Sequence, residues 1–292
     1  MGGSIQSNAS REAVFFDERT GIVLIRFSLA SGFRSLYANR GLLRALVIRD
    51  IQTRYRGTML GFVWALIYPV MMLAVYAFVF GGVFNARWGS NGGMEDFVLM
   101  LYCGLIVHAV FSETLTRSPS AILSNSSYVK KVVFPLELLT LSHLASAVFN
   151  ALIGLGLLCV FLILQYRSIP LTALYVPLMF IPLLMLTGGL AWSLAAIGVF
   201  FRDVGQMIGV IMSLLLFLSP VFYPTSSAPV LAQTLIYLNP LTYPIEELRA
   251  VLILGNQPDW SHWFVYCGVS VVVAIGGLWI FQKTRPAFAD VI

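Results

Sequence analysis

Few residues of this chain are placed to do covalent chemistry. His108 and His143 each stand alone in an apolar stretch, the pattern of an interior histidine satisfied by its neighbours. Gly268-Val269-Ser270 begins like a turn that presents a nucleophilic serine, but no second glycine follows, and Gly154-Leu155-Gly156 runs on into Leu157. Glu113 and Glu137 fall near the ends of their apolar stretches, and a proton relay would need acids at their middles. The phosphate-cradling pattern Gly-x-x-x-x-Gly-Lys-Ser/Thr does not occur, so no nucleotide site is expected in this chain. Cys103, Cys159 and Cys267 each lie within apolar sequence and read as small buried hydrophobes, neither a disulfide framework nor a metal set. What remains is binding chemistry. Trp64 and Tyr68 are one helical turn apart with Tyr76 two turns on. Indole and phenol groups at membrane depth want polar partners, and their faces stack on sugar rings, so a glycan path and ordinary lipid-facing packing both fit.

The elements that must position these residues are six apolar stretches, roughly 58–84, 97–116, 136–164, 171–200, 204–223 and 261–282. A helical crossing of the hydrocarbon layer takes about 20 apolar residues, which each supplies. Hydrophobic residues make up 59% of the chain and charged residues 11%. Soluble domains carry about 25% charge, so that class is excluded. Of the 18 Lys and Arg, all but Arg87, Arg167 and Arg249 fall in 1–57, 117–135, 201–203 and 283–292. The positive-inside rule puts those segments, and both termini, in the cytoplasm. The net charge of +5 then faces anionic membrane lipid headgroups, and nothing in the pattern suits nucleic acid. The expected fold class is an all-α polytopic membrane protein with six transmembrane helices.

Residues 1–32 read as a flexible cytoplasmic tail with no apolar core of signal type, so insertion is expected to use the first span. Residues 33–57 read as an amphipathic interface helix, with Leu43, Val47 and Ile51 on one face and Arg49, Gln52 and Arg56 opposite. Arg44 and Asp50 intrude on the apolar arc. Residues 58–292 form the transmembrane domain. Pro69 is expected to kink the first span. The connection 117–135 is too long and too patterned for a turn between spans, which suits either a docking element or a surface helix. Phe201-Arg202-Asp203 places a charged pair between two apolar helices, where it would cap helix ends or pair internally. Two Gly-x-x-x-Gly patterns, at Gly57/Gly61 and Gly205/Gly209, permit close helix approach. The segment 219–259 holds two apolar runs of about ten residues broken by Pro220, Pro224, Pro240 and Pro244. Such runs are too short to span and fit re-entrant half-helices closing an outer mouth.

In order and placement, these motifs resemble the membrane subunit of ABC-2 type exporters, in particular those moving lipid-linked bacterial polysaccharides such as O-antigen, capsule and teichoic acid. The residues carrying the likeness are Arg49-Asp50-Ile51, Arg54-Tyr55-Arg56-Gly57, Leu60-Gly61 and Trp64. Asn125, Lys131, Phe134-Pro135 and Glu137 follow, then Arg202-Asp203, Ser219-Pro220, and Asn239-Pro240 with Arg249. The resemblance covers residue 36 to the C-terminus and implies a homodimer in the bacterial inner membrane. Each dimer would bind two copies of a separate cytoplasmic ATPase that carries the ATP and Mg, leaving this chain without a cofactor. Arg49, Arg54, Arg56, Asn125, Lys130, Lys131, Phe134, Pro135, Glu137, Arg202 and Asp203 would couple to that ATPase. Trp64, Tyr68, Tyr76, Phe217, Phe222 and Tyr223 would border the polyprenyl-linked polysaccharide, and Pro220, Pro224, Asn239, Pro240 and Arg249 would form the outer gate. The tail is longer than the family leads one to expect. A drug or small-lipid exporter of the same fold is the alternative within the class, and an intramembrane enzyme acting on a polyprenyl-linked sugar the alternative outside it.

Overall fold

The structure, a computed structural model, describes residues 14–16, 23–25, 38–85, 87, 88, 93–129 and 134–292. The β structure among the described residues is one pair of three-residue strands, β1 (Val14–Phe16) and β2 (Val23–Ile25), antiparallel with Val14 opposite Ile25. These strands lie in the segment expected as a tail, outside the all-α description. From residue 38 onward the described chain is helix and turn. Its main helices are α1 (Arg40–Tyr55), α2 (Trp64–Tyr76), α3 (Met94–Arg117), α4 (Glu137–Tyr166) and α5 (Val176–Phe200). They continue with α6 (Val204–Leu218), α7 (Val230–Leu238), α8 (Thr242–Leu252) and α9 (Trp260–Thr284).

Five helical stretches are long and apolar enough to cross a bilayer: Gly61–Val83, Met94–Arg117, Glu137–Tyr166, Leu171–Phe200 and Trp260–Val291. The apolar stretch 204–223 differs from its expectation. Helix α6 has 15 residues and stops at Leu218, because Pro220 has no N–H to donate and disfavours helical backbone at Ser219. Local chemistry sets several other ends. Asp96 accepts the Gly93 N–H at 3.0 Å, and with Glu95 it puts negative charge at the start of α3, while Arg117 sits in its last turn. Asp259 accepts the N–H groups of Ser261 and His262 at 3.1 and 3.2 Å and so starts α9.

Helices α3 and α5 form the interior, with 72% and 61% of their apolar windows buried. The window beginning at Gly61 is only 11% buried, so the first span lies along the outside of the described chain. Helix α2 continues through Pro69, and a π-helical stretch at Ala77–Val83 follows it. There Gly81 admits the Met94 side chain, whose Cε would lie 2.7 Å from any added Cβ.

The tightest approach joins α5 to α9. A Cβ at Gly277 would lie 1.9 Å from the Gly189 carbonyl oxygen, and one at Gly189 would lie 2.5 Å from the Val273 carbonyl oxygen. Only glycine at both positions lets the two backbones meet. The glycine patterns singled out in the sequence do not serve this purpose within the chain. Gly57, Gly61 and Gly209 have open space where a Cβ would be, and Gly205 meets only the Pro119 ring at 3.9 Å. Gly57 and Gly61 are instead needed for backbone reasons, with φ of +82° and +52° in the turn between α1 and α2.

On the inner face of α1, Leu46 packs into protein. Leu46 joins Ile122, Leu138, Trp192, Val199, Phe281 and Phe288 in one buried apolar cluster. The cluster draws on α1, α4, α5, α9 and the C-terminal residues, which therefore share one end of the bundle. The connections around residues 93–96, 165–172 and 219–259 meet at the other end, where Tyr166 donates to Asp96 and Thr172 to the Val251 carbonyl.

Candidate functional site

At the α1 end, a charged network fastens the interface helix to the bundle. Arg54 of α1 forms an ion pair with Glu113 of α3. Arg117, one turn below, reaches Asp50 at 2.5 Å and Glu113 at 3.5 Å. His143 of α4 places Nδ1 3.5 Å from the other Asp50 oxygen. Asn150 Nδ2 donates to Glu113 at 3.2 Å while its oxygen accepts from Tyr55 at 3.2 Å. Burial works to raise the Asp50 pKa, but the neighbouring His143 and Arg117 outweigh it and hold the carboxyl well below the usual carboxylate range. Burial likewise opposes the charge on Arg54, and Glu113 more than restores it. Charges compensated in this way are strained by any displacement of α1 against α3 and α4.

A second clasp holds the connection after α3. Arg49 donates to the Tyr128 hydroxyl at 3.0 Å and to Asn125 Oδ1 at 3.5 Å. Tyr128 stacks on Phe134 at 4.4 Å, and Arg285 donates to the Phe134 carbonyl at 3.0 Å. Pro135 supplies the carbonyl that starts α4, accepting the Leu138 N–H at 3.1 Å. Glu137 is buried, 3.6 Å from Arg285, and its carbonyl accepts Trp192 Nε1 at 3.1 Å. Thus Arg49, Asn125, Phe134, Pro135 and Glu137 converge, as does Arg54 through Glu113. Arg56 makes no ion pair among the described residues. Lys130 and Lys131 lie outside the described residues. Of the two roles expected for them, Arg202 and Asp203 form no ion pair with each other, and Asp203 stands at the N-cap of α6 without a side-chain cap hydrogen bond. They line an open groove of about 540 Å³ with Phe200, Phe201, Val204 and Met207.

The opposite end is organised by Arg249. Its side chain is 1% exposed, although only α8, a short helix, carries it. Nε donates to the Met100 carbonyl at 2.9 Å, Nη1 to the Pro220 carbonyl at 2.6 Å and to Glu246 at 3.4 Å, and Nη2 to the Val221 carbonyl at 3.0 Å. The guanidinium also lies 4.3 Å from the Trp88 ring centroid. The turn after α6 is therefore non-helical backbone buried in protein, with its carbonyls paired by one arginine. Asn239 ties the same turn from the other side, donating to Ser219 Oγ at 2.9 Å and accepting the Leu241 N–H at 2.9 Å. The Pro240 carbonyl accepts Tyr266 at 2.9 Å. Pro224 stands apart from Arg249 and opens the short turn Thr225–Ser227.

The aromatic set divides. Phe222 stacks on Phe80 at 5.0 Å and on Phe217 at 5.5 Å, and Tyr76 lies 5.9 Å from Phe222, so Tyr76, Phe217 and Phe222 meet where the first span approaches the end of α6. Tyr223 folds back and donates to the Phe217 carbonyl at 3.2 Å. Trp64 and Tyr68 stay outside this cluster on the uncovered face of α2, Tyr68 being 62% exposed. Several participants carried no distinguishing signal in the sequence. Glu113 and His143 read as isolated polar residues, and Arg117, Tyr128, Asn150, Phe80 and Trp88 as background. Asp50 did leave a signal, as the acid interrupting an apolar arc.

The class these features define is a polytopic α-helical membrane protein with polar networks at both ends of an apolar bundle. A family profile described as ABC-2 type transporter matches residues 41–253, and the chain belongs to that family. It is 30% identical over 262 residues to the O-antigen export system permease protein RfbA of Myxococcus xanthus, covering 89% of this chain and 98% of that protein. An RfbA permease of Klebsiella pneumoniae is 24% identical over 252 residues, 86% of this chain and 95% of that protein. The polysialic acid transport protein KpsM of Escherichia coli is 26% identical over 247 residues, 83% of this chain and 93% of that protein.

Proposed function

We propose that this chain is the membrane permease of an ATP-driven exporter that carries lipid-linked polysaccharide, O-antigen foremost, across the bacterial inner membrane. The observation that carries this reading is the alignment with an O-antigen export permease over 98% of that protein's length. The permease works as a homodimer with two copies of a cytoplasmic ATPase, which supply the ATP hydrolysis. Both termini are cytoplasmic, in keeping with the basic residues of 1–57, 117–135 and 283–292.

Six crossings follow if α6 counts as the fifth. Its 15 residues rise about 22 Å, against a hydrocarbon layer of about 30 Å. The buried turn at Ser219–Val221 and the short helices α7 and α8 make up the remaining depth from the outer side. At the inner end, α1 and the clasped connection form the surface on which the ATPase seats. ATP-driven closure of the ATPases moves α1, and the network at Asp50, Glu113 and Arg117 passes that movement to α3 and α4. The exposed rings of Trp64 and Tyr68 hold sugars by stacking, loosely enough for a polymer to advance.

The test is export of surface polysaccharide by a strain lacking its own permease, supplied with this chain and the ATPase of its operon. Restored polymer at the cell surface, dependent on a hydrolysis-competent ATPase, supports the reading. Normal ATPase association without surface polymer, together with efflux of a small lipid or drug, overturns it in favour of the small-molecule exporter.

A further inference from the structure

A groove of about 480 Å³ opens between the end of α1 and the start of the first span, lined by Ile51, Gln52, Tyr55, Arg56 and Phe62. We propose that it binds a phosphate-headed membrane amphiphile, with the phosphate on Arg56 and Gln52 and the hydrocarbon chain against Phe62 and the residues beside it. This rests on the proposed placement of α1 along the inner surface of the bilayer.

Four observations carry the assignment. First, among the described residues Arg56 is the groove's one cationic side chain, and it is unpaired. Arg54 pairs with Glu113, and Arg49 with Tyr128 and Asn125, whereas Arg56 is exposed with no ion-pair or hydrogen-bond partner for its side chain among the described residues. Second, the groove has a fixed apolar wall. Phe62 is held edge-on to Tyr55 at 5.5 Å and against Phe149 at 5.9 Å, and the Tyr55 hydroxyl is anchored on Asn150. Third, the turn beyond it presents Met59 fully exposed and Leu60 about half exposed. Their backbone N–H groups donate no hydrogen bond among the described residues. At the edge of the acyl layer water is scarce and unpaired N–H groups are costly, so an anionic head with several acceptor oxygens satisfies the site better than water does. Fourth, Leu66 and Val70 continue from Phe62 as an exposed apolar stripe at helical spacing. A chain leaving the groove would lie along that stripe.

The shared chemistry is a phosphate or diphosphate on a long hydrocarbon, which describes both an anionic phospholipid and a polyprenyl diphosphate carrier. The experiment uses the full chain co-purified with its ATPase in neutral phosphatidylcholine nanodiscs, titrated with radiolabelled undecaprenyl diphosphate or phosphatidylglycerol. Undecaprenol without phosphate is the control. Arg56→Gln is expected to weaken binding of the phosphate-bearing probe about tenfold. Arg56→Lys should keep most of the affinity, and Arg44→Gln, an equal charge loss on an exposed part of the same helix, should stay within about twofold of the parent. If undecaprenyl diphosphate displaces phosphatidylglycerol in an Arg56-dependent manner, the site serves the carrier. If phosphatidylglycerol binds through Arg56 and the diphosphate does not compete, the site serves bulk lipid, and the proposal stands in that form. Equal losses in Arg56→Gln and Arg44→Gln, or undecaprenol binding as tightly as its diphosphate, overturn it. The export reading fails on a separate result, absence of surface polymer with the unaltered chain, so the two failures are distinguishable.

Discussion

Replacing Arg249 with Met isolates what the buried guanidinium does. Methionine fills much the same channel but donates nothing. The carbonyls of Met100, Pro220 and Val221 then lose their donors at 2.9, 2.6 and 3.0 Å. A buried acceptor left unpaired costs about 1–3 kcal/mol. Three of them give about 3–9 kcal/mol, from which removal of a buried charge returns several kcal/mol. The expected net loss is about 3 kcal/mol, read as a fall in melting temperature of about 10 °C in detergent. Arg249→Lys should recover less than half of the loss, because one ammonium cannot reach carbonyls on both α3 and the turn after α6 with the fork geometry of arginine. An independent probe of the same contact is Gly104→Ala. The new Cβ would stand 3.1 Å from both the Arg249 guanidinium and the Val221 Cα, and the latter is backbone that cannot swing aside. Overpacking of this kind costs about 1–3 kcal/mol. The assay is thermal melting followed by size-exclusion fluorescence, with export measured on the same variants. If Arg249→Met melts with the parent protein, the buried turn is not held by this residue and the outer closure has been assigned to the wrong group.

At the inner end, Glu113→Gln removes the carboxylate shared by Arg54, Arg117 and Asn150, and polymer export is expected to fall at least tenfold while ATPase co-purification persists. Loss of co-purification instead would make the network part of the docking surface. The Asp50 carboxyl, held well below its unfolded value of about 4, contributes stability that is fully present above that pH and lost progressively as pH falls from there through the depressed folded-state value. Asp50→Asn should therefore lower the melting temperature at pH 7 and by progressively less as the pH is taken down from about 4 towards the depressed folded-state value, and a deficit that does not shrink over that range would contradict the ion-pair account. Gly277→Leu drives a side chain into the Gly189 carbonyl and should abolish stable protein, whereas Gly276→Leu, with open space around it, should express normally; membrane-fraction yield compares them. Changing Trp64 and Tyr68 together to Ala should reduce polymer export and leave ATPase binding intact, and unaltered export would remove the glycan-wall idea.

The spans were legible because burial in lipid and burial in protein ask for the same residues. Observed ends such as Met94–Arg117 and Glu137–Tyr166 fall within a few residues of 97–116 and 136–164. The stretch 204–223 was overrun at its end because hydropathy treats Val221 and Phe222 like any other apolar residues, although Pro220 has already ended α6. Helix α1 was found, but its contact with protein at Leu46 was not, since an apolar arc looks the same whether it meets acyl chains or Ile122 and Phe281. Asp50 marked the difference, because a carboxylate within such an arc needs partners that only protein supplies. Glycine spacing failed for a related reason. A pattern of two glycines does not say what lies opposite, and the pair that matters, Gly189 with Gly277, is on two different helices. Arg249 was placed in the outer segment by order alone; its three carbonyl partners come from parts of the chain that no local reading brings together.

The distribution of these contacts sets how force can travel through the chain. Helix α1 is joined to α3 and α4 by Arg54, Asp50 and their partners, and α5 is locked to α9 by backbone contact at Gly189 and Gly277. The Trp192 indole of α5 donates to the Glu137 carbonyl of α4 and joins the two pairs, so the four bundle helices are expected to respond to α1 as one unit. The first span is different. It meets α1 through the turn at residues 56–60 and the Tyr55–Phe62 ring contact, with glycines at φ +82° and +52° bounding the turn. Most of its surface is uncovered, and at its far end it touches the turn after α6 through Phe80 and Phe222. Stacked rings about 5 Å apart slide at small cost, whereas compensated buried charges do not. The first span also rests on the bundle through Phe62 on Phe149, Phe80 on Phe97 and Met94 at Gly81, contacts that carry no charge, so a displacement of α1 is expected to carry the core and to let the first span shift over these surfaces about the Gly57 turn.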